Sequence, residues 1–361
     1  MYKQLFIPGP TDVAPEVLEK MATPMIGHRT AEATELQKGI SEKLQKLMYT
    51  ENTILLSTSS GTGLMEAAIR CCTRKRAAVF SVGAFGDRWY QLAENNNVPA
   101  DVFKSEPGQP TTPEMVDDAL KTGKYDVVTV THNETSTGVM NDCAAIGDVI
   151  RKYDDVLFLV DTVSSLAGSK IEVDLWGIDV CIASTQKCFA LPPGLSLCSV
   201  SERAIEAAKQ VKHRGYYLDL VRLYNRVKKD FQYPSTPSLS HMYAFDFQLD
   251  RIFEEGLDNR FERHHRLAEI TREWAGRHFS LFAAEGFRSD TVTCINNTLD
   301  FDFKMLNKEL LDRGFRIGNG YGPFKDKTFR IATMGERKEA SLVELLGHIE
   351  EILGLEATKW H

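Results

Sequence analysis

The feature that most constrains this chain is a spaced series of short β-branched, apolar runs with helix-forming segments between them: AAVFSVG (77–83), DVVTVTHN (126–133), DVLFLVD (155–161) and VCIAS (180–184). Runs of this kind alternating with helices predict a parallel sheet covered on both faces. The segment CAAIGDVIRKY (143–153) reads as one such helix. Upstream, Leu36, Ile40, Leu44 and Leu47 fall at helical spacing within 34–48, and Thr53–Leu56 reads as a short strand. After Glu255 the pattern changes. Residues 255–282 read as one or two long polar helices, and TVTCI and FRIA then read as strands with the helix LNKELLDRG between them. At 361 residues the chain exceeds one ordinary core. The expected division is an N-terminal arm (1–20), a large α/β domain (21–254) and a smaller C-terminal α/β domain (255–361).

Charge and patterning exclude several classes. The chain carries 43 basic against 50 acidic residues, a net charge of -7, and has no lysine- and arginine-rich run able to track a phosphate backbone, so nucleic acid is not an expected partner. No apolar run reaches the ~20 residues that span a bilayer, and MYKQLFIPGPTDV lacks the pattern of a secretory signal. Seven cysteines, at 71, 72, 143, 181, 188, 198 and 294, show neither zinc-site nor disulfide-framework spacing. A cytoplasmic protein without a metal is expected.

Ligands of open parallel sheets bind beyond the carboxyl ends of the strands. Here those ends carry Asp161 after DVLFLV, Thr185, Gln186 and Lys187 after VCIAS, and His132, Asn133, Glu134 and Thr135 after DVVTVT. Asp161 and Lys187 lie one expected strand–helix–strand step apart, so both face one cleft. Most lysines are solvated surface groups. Lys187, however, is followed by CFALPPGLSL, an apolar, proline-rich stretch that predicts burial, and a buried lysine has a depressed pKa and a nucleophilic amine. A pyridoxal cofactor needs such a lysine for its aldehyde, an acid for its ring nitrogen, anion-binding amides for its phosphate and a flat group over its ring. Asp161 supplies the acid. Ser60, Gly61 and Thr62 open a helix, where amides and the helix dipole favour a phosphate. Phe85, in VGAFGDRW, follows a strand among small residues that leave room for a ring.

Read in order, IPGPT, SSGTGLMEAA, GAFGDRW, THNETSTGV, VDTVSSLAG, STQK, PPG, YPST and FRIA resemble the aminotransferase family of alanine–glyoxylate, serine–pyruvate and phosphoserine transaminases, over nearly the whole chain. The resemblance implies the aspartate-aminotransferase fold and pyridoxal 5′-phosphate as cofactor. It implies that Lys187 is the Schiff-base lysine, that Asp161 pairs with the ring nitrogen, and that Ser60, Gly61, Thr62 and Gln186 hold the phosphate or ring oxygen. Thr135 is similar to the family's ring-contacting hydroxyl, and Phe85 takes the stacking position that is often Trp in relatives. Tyr233 and Thr236 resemble residues that reach the phosphate of a neighbouring subunit's cofactor, which implies a homodimer with shared sites. Arg330 is similar to the arginine that binds the substrate α-carboxylate, and Gly9 of IPGPT joins the substrate-binding residues.

These groups permit amino transfer between small amino acids and 2-oxo acids in two half-reactions, with Lys187 as covalent anchor and general base and with ping-pong kinetics. His28 and Arg29 resemble the pair with which phosphoserine aminotransferases meet the substrate phosphate. This favours phosphoserine with 2-oxoglutarate; the alternative is alanine or serine with glyoxylate or pyruvate. A cysteine desulfurase or another lyase of the same cofactor is the rival chemistry. Desulfurase-like relatives stack a histidine and need a mobile cysteine, whereas this chain offers Phe85 and a Cys294 inside a strand. A catalytically silent relative is the remaining alternative, disfavoured because every chemical position is filled.

Overall fold

The structure is a computed structural model that describes residues 3–360. The ends of the arm and of the C-terminal segment, residues 1–2 and 361, lie outside the described residues. Seven strands form the larger sheet in the order Thr53–Ser57, Ser196–Val200, Val180–Ser184, Leu157–Asp161, Val127–Thr131, Ala77–Ser81 and Ala100–Lys104. Ser196–Val200 runs antiparallel to both neighbours, and the remaining pairings are parallel. The four strands expected from apolar runs lie side by side at its centre, and every residue of each is buried. Burial on both faces demands helices above and below, which explains why these strands are dominated by apolar and β-branched residues and why even the alternating Thr129 and Thr131 are buried.

Two strands of this sheet escape the sequence pattern. Ser196–Val200, SLCSV, is too rich in serine to read as an apolar run, and Ala100–Lys104 is an edge strand whose residues are half-buried or exposed. The step from Asp161 to Lys187 also differs from expectation. Residues 162–179 cross over in turns without a helix. This stretch is rich in Ser and Gly, with Ala167 at φ 68, and its hydroxyls bond backbone carbonyls, Ser165 to the nearby Thr162 and Thr162 and Ser164 to the more distant Ile182 and Asn133.

The second sheet is ordered Gln4–Phe6, Phe315–Asn319, Thr328–Ala332, Val292–Asn296, Ser280–Leu281. The expected TVTCI and FRIA strands are two of these, and LNKELLDRG lies largely in the helix Phe303–Asp312. The long polar stretch becomes the helix Leu257–His278, begun at Gly256, whose φ of 86 suits glycine. Its buried Leu267, Ile270 and Trp274 join Phe6, Leu306, Phe329 and Leu345 in a core separate from that of the larger sheet. The N-terminal strand thus pairs parallel with Phe315–Ile317, at an edge of the C-terminal sheet. No described helix is long and apolar enough to cross a membrane.

Candidate active site

The carboxyl ends of the central strands bring the expected residues together. Asp161 ends the strand Leu157–Asp161 and is 4% exposed. Its Oδ1 accepts the Val163 amide at 2.8 Å, which fixes the carboxyl at the mouth of the sheet. Burial pushes its pKa up to about 6, against the Val163 hydrogen bond and the nearby positive charges of Lys187 and Arg88. His132 and Asn133 serve this segment from behind. The His132 amide donates to the Asp161 carbonyl at 2.9 Å, its Nδ1 pairs with Ser165 Oγ at 2.8 Å, and Asn133 Nδ2 donates to Ser164 and Thr291. Burial takes His132 down to about 4, so near neutral pH it is an uncharged structural group.

Lys187 follows the next strand and its turn. Its Nζ donates to the Pro8 carbonyl, and burial lowers its pKa to about 8. Its own carbonyl accepts Thr11 Oγ1 at 3.1 Å, and the Gln186 carbonyl accepts the Thr11 amide at 3.1 Å. The IPGPT segment is therefore a wall of the site. Gly9, at φ 85, lies so close that a Cβ there would stand 2.6 Å from Lys187 Cδ and 2.8 Å from its Cε and Nζ. Gln186 Oε1 accepts Ser184 Oγ at 2.6 Å, which fixes that amide beside the lysine.

The helix Gly61–Cys72 begins at Ser60, whose exposed side chain makes no capping hydrogen bond. Its first amides and the Ser60 hydroxyl stay open to an anion. A Cβ at Gly61 would collide with Val163, so glycine lets this helix start press against the loop that follows Asp161. Arg88 Nη1 donates to Thr62 Oγ1 at 3.2 Å, and its guanidinium lies 4.6 Å from the centre of the Phe85 ring. Phe85 opens the helix Ala84–Asn95, with Tyr321 at 5.8 Å between ring centres.

Glu134, without an assigned role in the sequence, proves to be the anchor of that helix. Its carboxylate accepts the Phe85 and Gly86 amides at 2.9 and 3.0 Å and the Ser136 amide and hydroxyl at 3.0 and 2.6 Å. A buried carboxylate at a helix N-terminus is favoured by the free amides and the dipole, though burial still raises its pKa. Gly83 makes this contact possible, because a Cβ there would lie 2.6 Å from Glu134 Cγ.

Arg330, in the strand Thr328–Ala332, is 8% exposed and reaches from the second sheet to Thr135, just beyond the strand Val127–Thr131 of the larger one. Its Nε donates to the Asn319 carbonyl at 2.8 Å and its Nη1 to the Thr135 carbonyl at 3.1 Å. These bonds leave the Nη2 edge of the guanidinium for a carboxylate. Burial lowers its pKa.

Other expected residues lie apart from this constellation. Tyr233 is 5% exposed and its hydroxyl accepts the Leu56 amide at 3.0 Å, while Thr236, three residues on, is exposed. Arg29 donates to the carbonyls of Tyr233 and Pro234, and His28 precedes it half-buried in a turn. Cys294 is buried in the strand Val292–Asn296 and burial raises its thiol to about 11, which removes it as a mobile nucleophile. Among the described residues no cluster of His, Cys, Asp and Glu could hold a metal ion.

The donor set fits pyridoxal 5′-phosphate: a buried amine with its pKa lowered to about 8, a carboxyl with one oxygen outside the Val163 bond, and an uncapped helix start linked through Thr62 and Arg88 to the Phe85 ring.

Comparison with known proteins agrees. The family model for class-V aminotransferases matches residues 5–307. An uncharacterised aminotransferase of Methanocaldococcus jannaschii is 40% identical over 358 residues, 96% of this chain and 92% of the relative. A serine–glyoxylate aminotransferase of Methylorubrum extorquens is 32% identical over 96% of this chain and 90% of its own length. The crystal structure of an alanine–glyoxylate aminotransferase of Nostoc sp. superposes with a TM-score of 0.92 at 28% identity, covering 98% of this chain and 96% of that one.

Proposed function

The chain belongs to the class-V aminotransferase family and uses pyridoxal 5′-phosphate, and on that premise we propose that it carries the α-amino group of serine or alanine to glyoxylate. The observation that carries this reading is that full-length relatives with named substrates, the serine–glyoxylate and alanine–glyoxylate enzymes, take glyoxylate. The phosphoserine reading rests on His28 and Arg29. Arg29 already gives its guanidinium to the Tyr233 and Pro234 carbonyls, which supports the glyoxylate reading instead.

When bound, the cofactor supplies an electron sink for the pair released as the substrate Cα–H bond breaks. We assign its phosphate to Ser60, Gly61 and Thr62, its ring face to Phe85, its ring nitrogen to Asp161, and its ring oxygen side to Gln186 and Thr135. Above about pH 6 Asp161 is a carboxylate and holds a proton on the group it faces. Lys187 is the covalent anchor. Because its amine titrates near 8, a useful fraction is unprotonated at neutral pH and able to take and return the substrate Cα proton. The free edge of Arg330 orients the α-carboxylate, and Gly9 leaves the lysine room to move.

We further assign residues 1–20 to an N-terminal arm, 21–254 to the cofactor-binding unit and 255–361 to the small unit; the arm serves both, its Gln4–Phe6 pairing with the second sheet and its Val17 packing in the core of the larger one. Thr236 we assign to a neighbouring subunit's site in a homodimer.

The test is a direct ranking of purified enzyme with serine, alanine or phosphoserine against glyoxylate or 2-oxoglutarate, with glycine and glutamate quantified. Glycine from serine or alanine should form at least about tenfold faster than glutamate from phosphoserine, a difference near 1.4 kcal/mol in barrier. The opposite order overturns the reading.

A further inference from the structure

The loop that carries Lys187 is held by groups from three distant parts of the chain. Four successive carbonyls, Gln186 to Phe189, each accept a hydrogen bond from outside the strand. The Thr11 amide and hydroxyl take the first two, Arg260 Nη2 takes Cys188 at 2.6 Å, and Gln248 Nε2 takes Phe189 at 3.0 Å. The next residue, Ala190, sits at φ 55, a conformation that costs a non-glycine residue energy and persists only where the surroundings impose it.

Arg260 is the centre of this arrangement. It is 1% exposed, and besides Cys188 it binds the Ala167 carbonyl through Nε at 2.9 Å. Ala167 belongs to the loop that follows Asp161, so one planar guanidinium grips the segments behind both key residues of the site. Nη1 pairs with Glu255 at 2.6 Å and Glu336 at 3.1 Å, which compensates the buried charge. Glu336 also accepts Gln248 at 3.0 Å. Glu255 in turn binds Arg263, which donates to the Gly335 and Arg337 carbonyls, and Arg337 pairs with Asp12 next to Thr11. The network therefore runs from the helix Leu257–His278 through residues 335–337 to the arm and closes on the lysine loop.

We propose that Arg260 is a positioning residue for the transamination: by holding the Cys188 and Ala167 carbonyls together it sets the aim of Lys187 towards Asp161, and through Glu336 it makes that aim depend on the seating of the 335–337 segment. The inference rests on Lys187 being the cofactor lysine. Lysine at position 260 would keep the charge but cannot reach two carbonyls and two carboxylates with one fixed fork. Small misplacement of a reacting group is enough to cost on the order of 10²-fold in rate.

The experiment compares the full-length holoenzyme with Arg260→Lys and Gln248→Met, the second leaving every charge in place. Three quantities are read: the thermal unfolding midpoint, kcat and KM with the amino acid, and the pH midpoint for capture of pyridoxal 5′-phosphate, measured as borohydride-fixed adduct on the Lys187 peptide by mass spectrometry. In each folded variant kcat should fall about tenfold or more with KM within about twofold. The capture midpoint should move upward by about half a pH unit or more as water reaches the amine. If Arg260→Lys does not fold, Gln248→Met decides. Unchanged kcat and midpoint in the folded variants, with adduct on Lys187 of the parent, overturn this inference alone. A parent without that adduct overturns the assignment of Lys187 and this inference with it.

Discussion

Replacing Lys187 by Met should abolish transamination and yet stabilise the cofactor-free protein at neutral pH. Burial brings the lysine from its ordinary 10.5 down to about 8. At about 1.4 kcal/mol per pH unit, holding the ammonium in the folded chain costs about 3 kcal/mol wherever pH is below 8. Met keeps the length and apolar packing of the stem. It gives up the hydrogen bond to the Pro8 carbonyl, worth about 1 kcal/mol. The variant should therefore be more stable by about 2 kcal/mol at pH 7. Because the folded value lies below the unfolded one, the unfolded chain binds the extra proton between 8 and 10.5, and the parent regains stability as pH rises through that window. Above it the order reverses by about 1 kcal/mol, the remaining hydrogen bond. Urea unfolding of both cofactor-free proteins at pH 7, 8, 9 and 10.5, with slopes compared to confirm equal exposed surface, measures the difference. A difference that does not change with pH, or a variant weaker than the parent at pH 7, refutes the buried-amine argument.

Two further substitutions probe the walls of the site. Gly9→Ala places a Cβ within 2.8 Å of the Lys187 side chain at φ 85, so covalent capture of pyridoxal 5′-phosphate, followed as growth of the visible band, should slow by about tenfold or more; an unaltered rate shows that the lysine does not need that space. Arg330→Gln removes the charged edge facing the cleft and should raise KM for the amino acid on the order of 100-fold, about 3 kcal/mol, in steady-state kinetics; an unchanged KM removes Arg330 from substrate binding.

The centre of the fold was legible because its four parallel strands are buried on both faces and their sequences are dominated by small, apolar and β-branched residues. Legibility ended where a strand or crossover is specified by partners and not by its own composition. Ser196–Val200 is held between two antiparallel neighbours despite its serines, and residues 162–179 cross over through hydroxyl–backbone bonds that no periodicity announces. Gln4–Phe6 is three residues long and gains its place from Phe315–Ile317, more than three hundred residues away in sequence. The candidate site divides the same way. Asp161, Lys187 and the helix start at Ser60 follow from strand ends and turn chemistry. Glu134 and Arg260 act largely through backbone groups, three amides in one case and two carbonyls in the other, and a residue whose partners are amides or carbonyls leaves no mark in sequence spacing.

That asymmetry has a physical consequence for the enzyme. Asp161 is pushed up to about 6 and Lys187 down to about 8 by the same burial, so between those values both groups bear charge that the fold disfavours. For Asp161 the folded value lies above the ordinary 3.8, so its cost is full above pH 6 and is relieved as pH falls from 6 towards 3.8; for Lys187 the cost is full below 8 and is relieved as pH rises. No single pH removes both. The neutral range in which amine and carboxylate can work together is therefore also the range in which the cofactor-free site is least stable, and the loops behind it must be held by bonds that do not titrate there. Thr11 and Gln248 provide such bonds through an amide and a hydroxyl, which do not titrate in that interval, and Arg260 adds its grip on the Cys188 and Ala167 carbonyls. The bracing of the Lys187 loop from three distant segments is thus what a site with two misplaced charges requires.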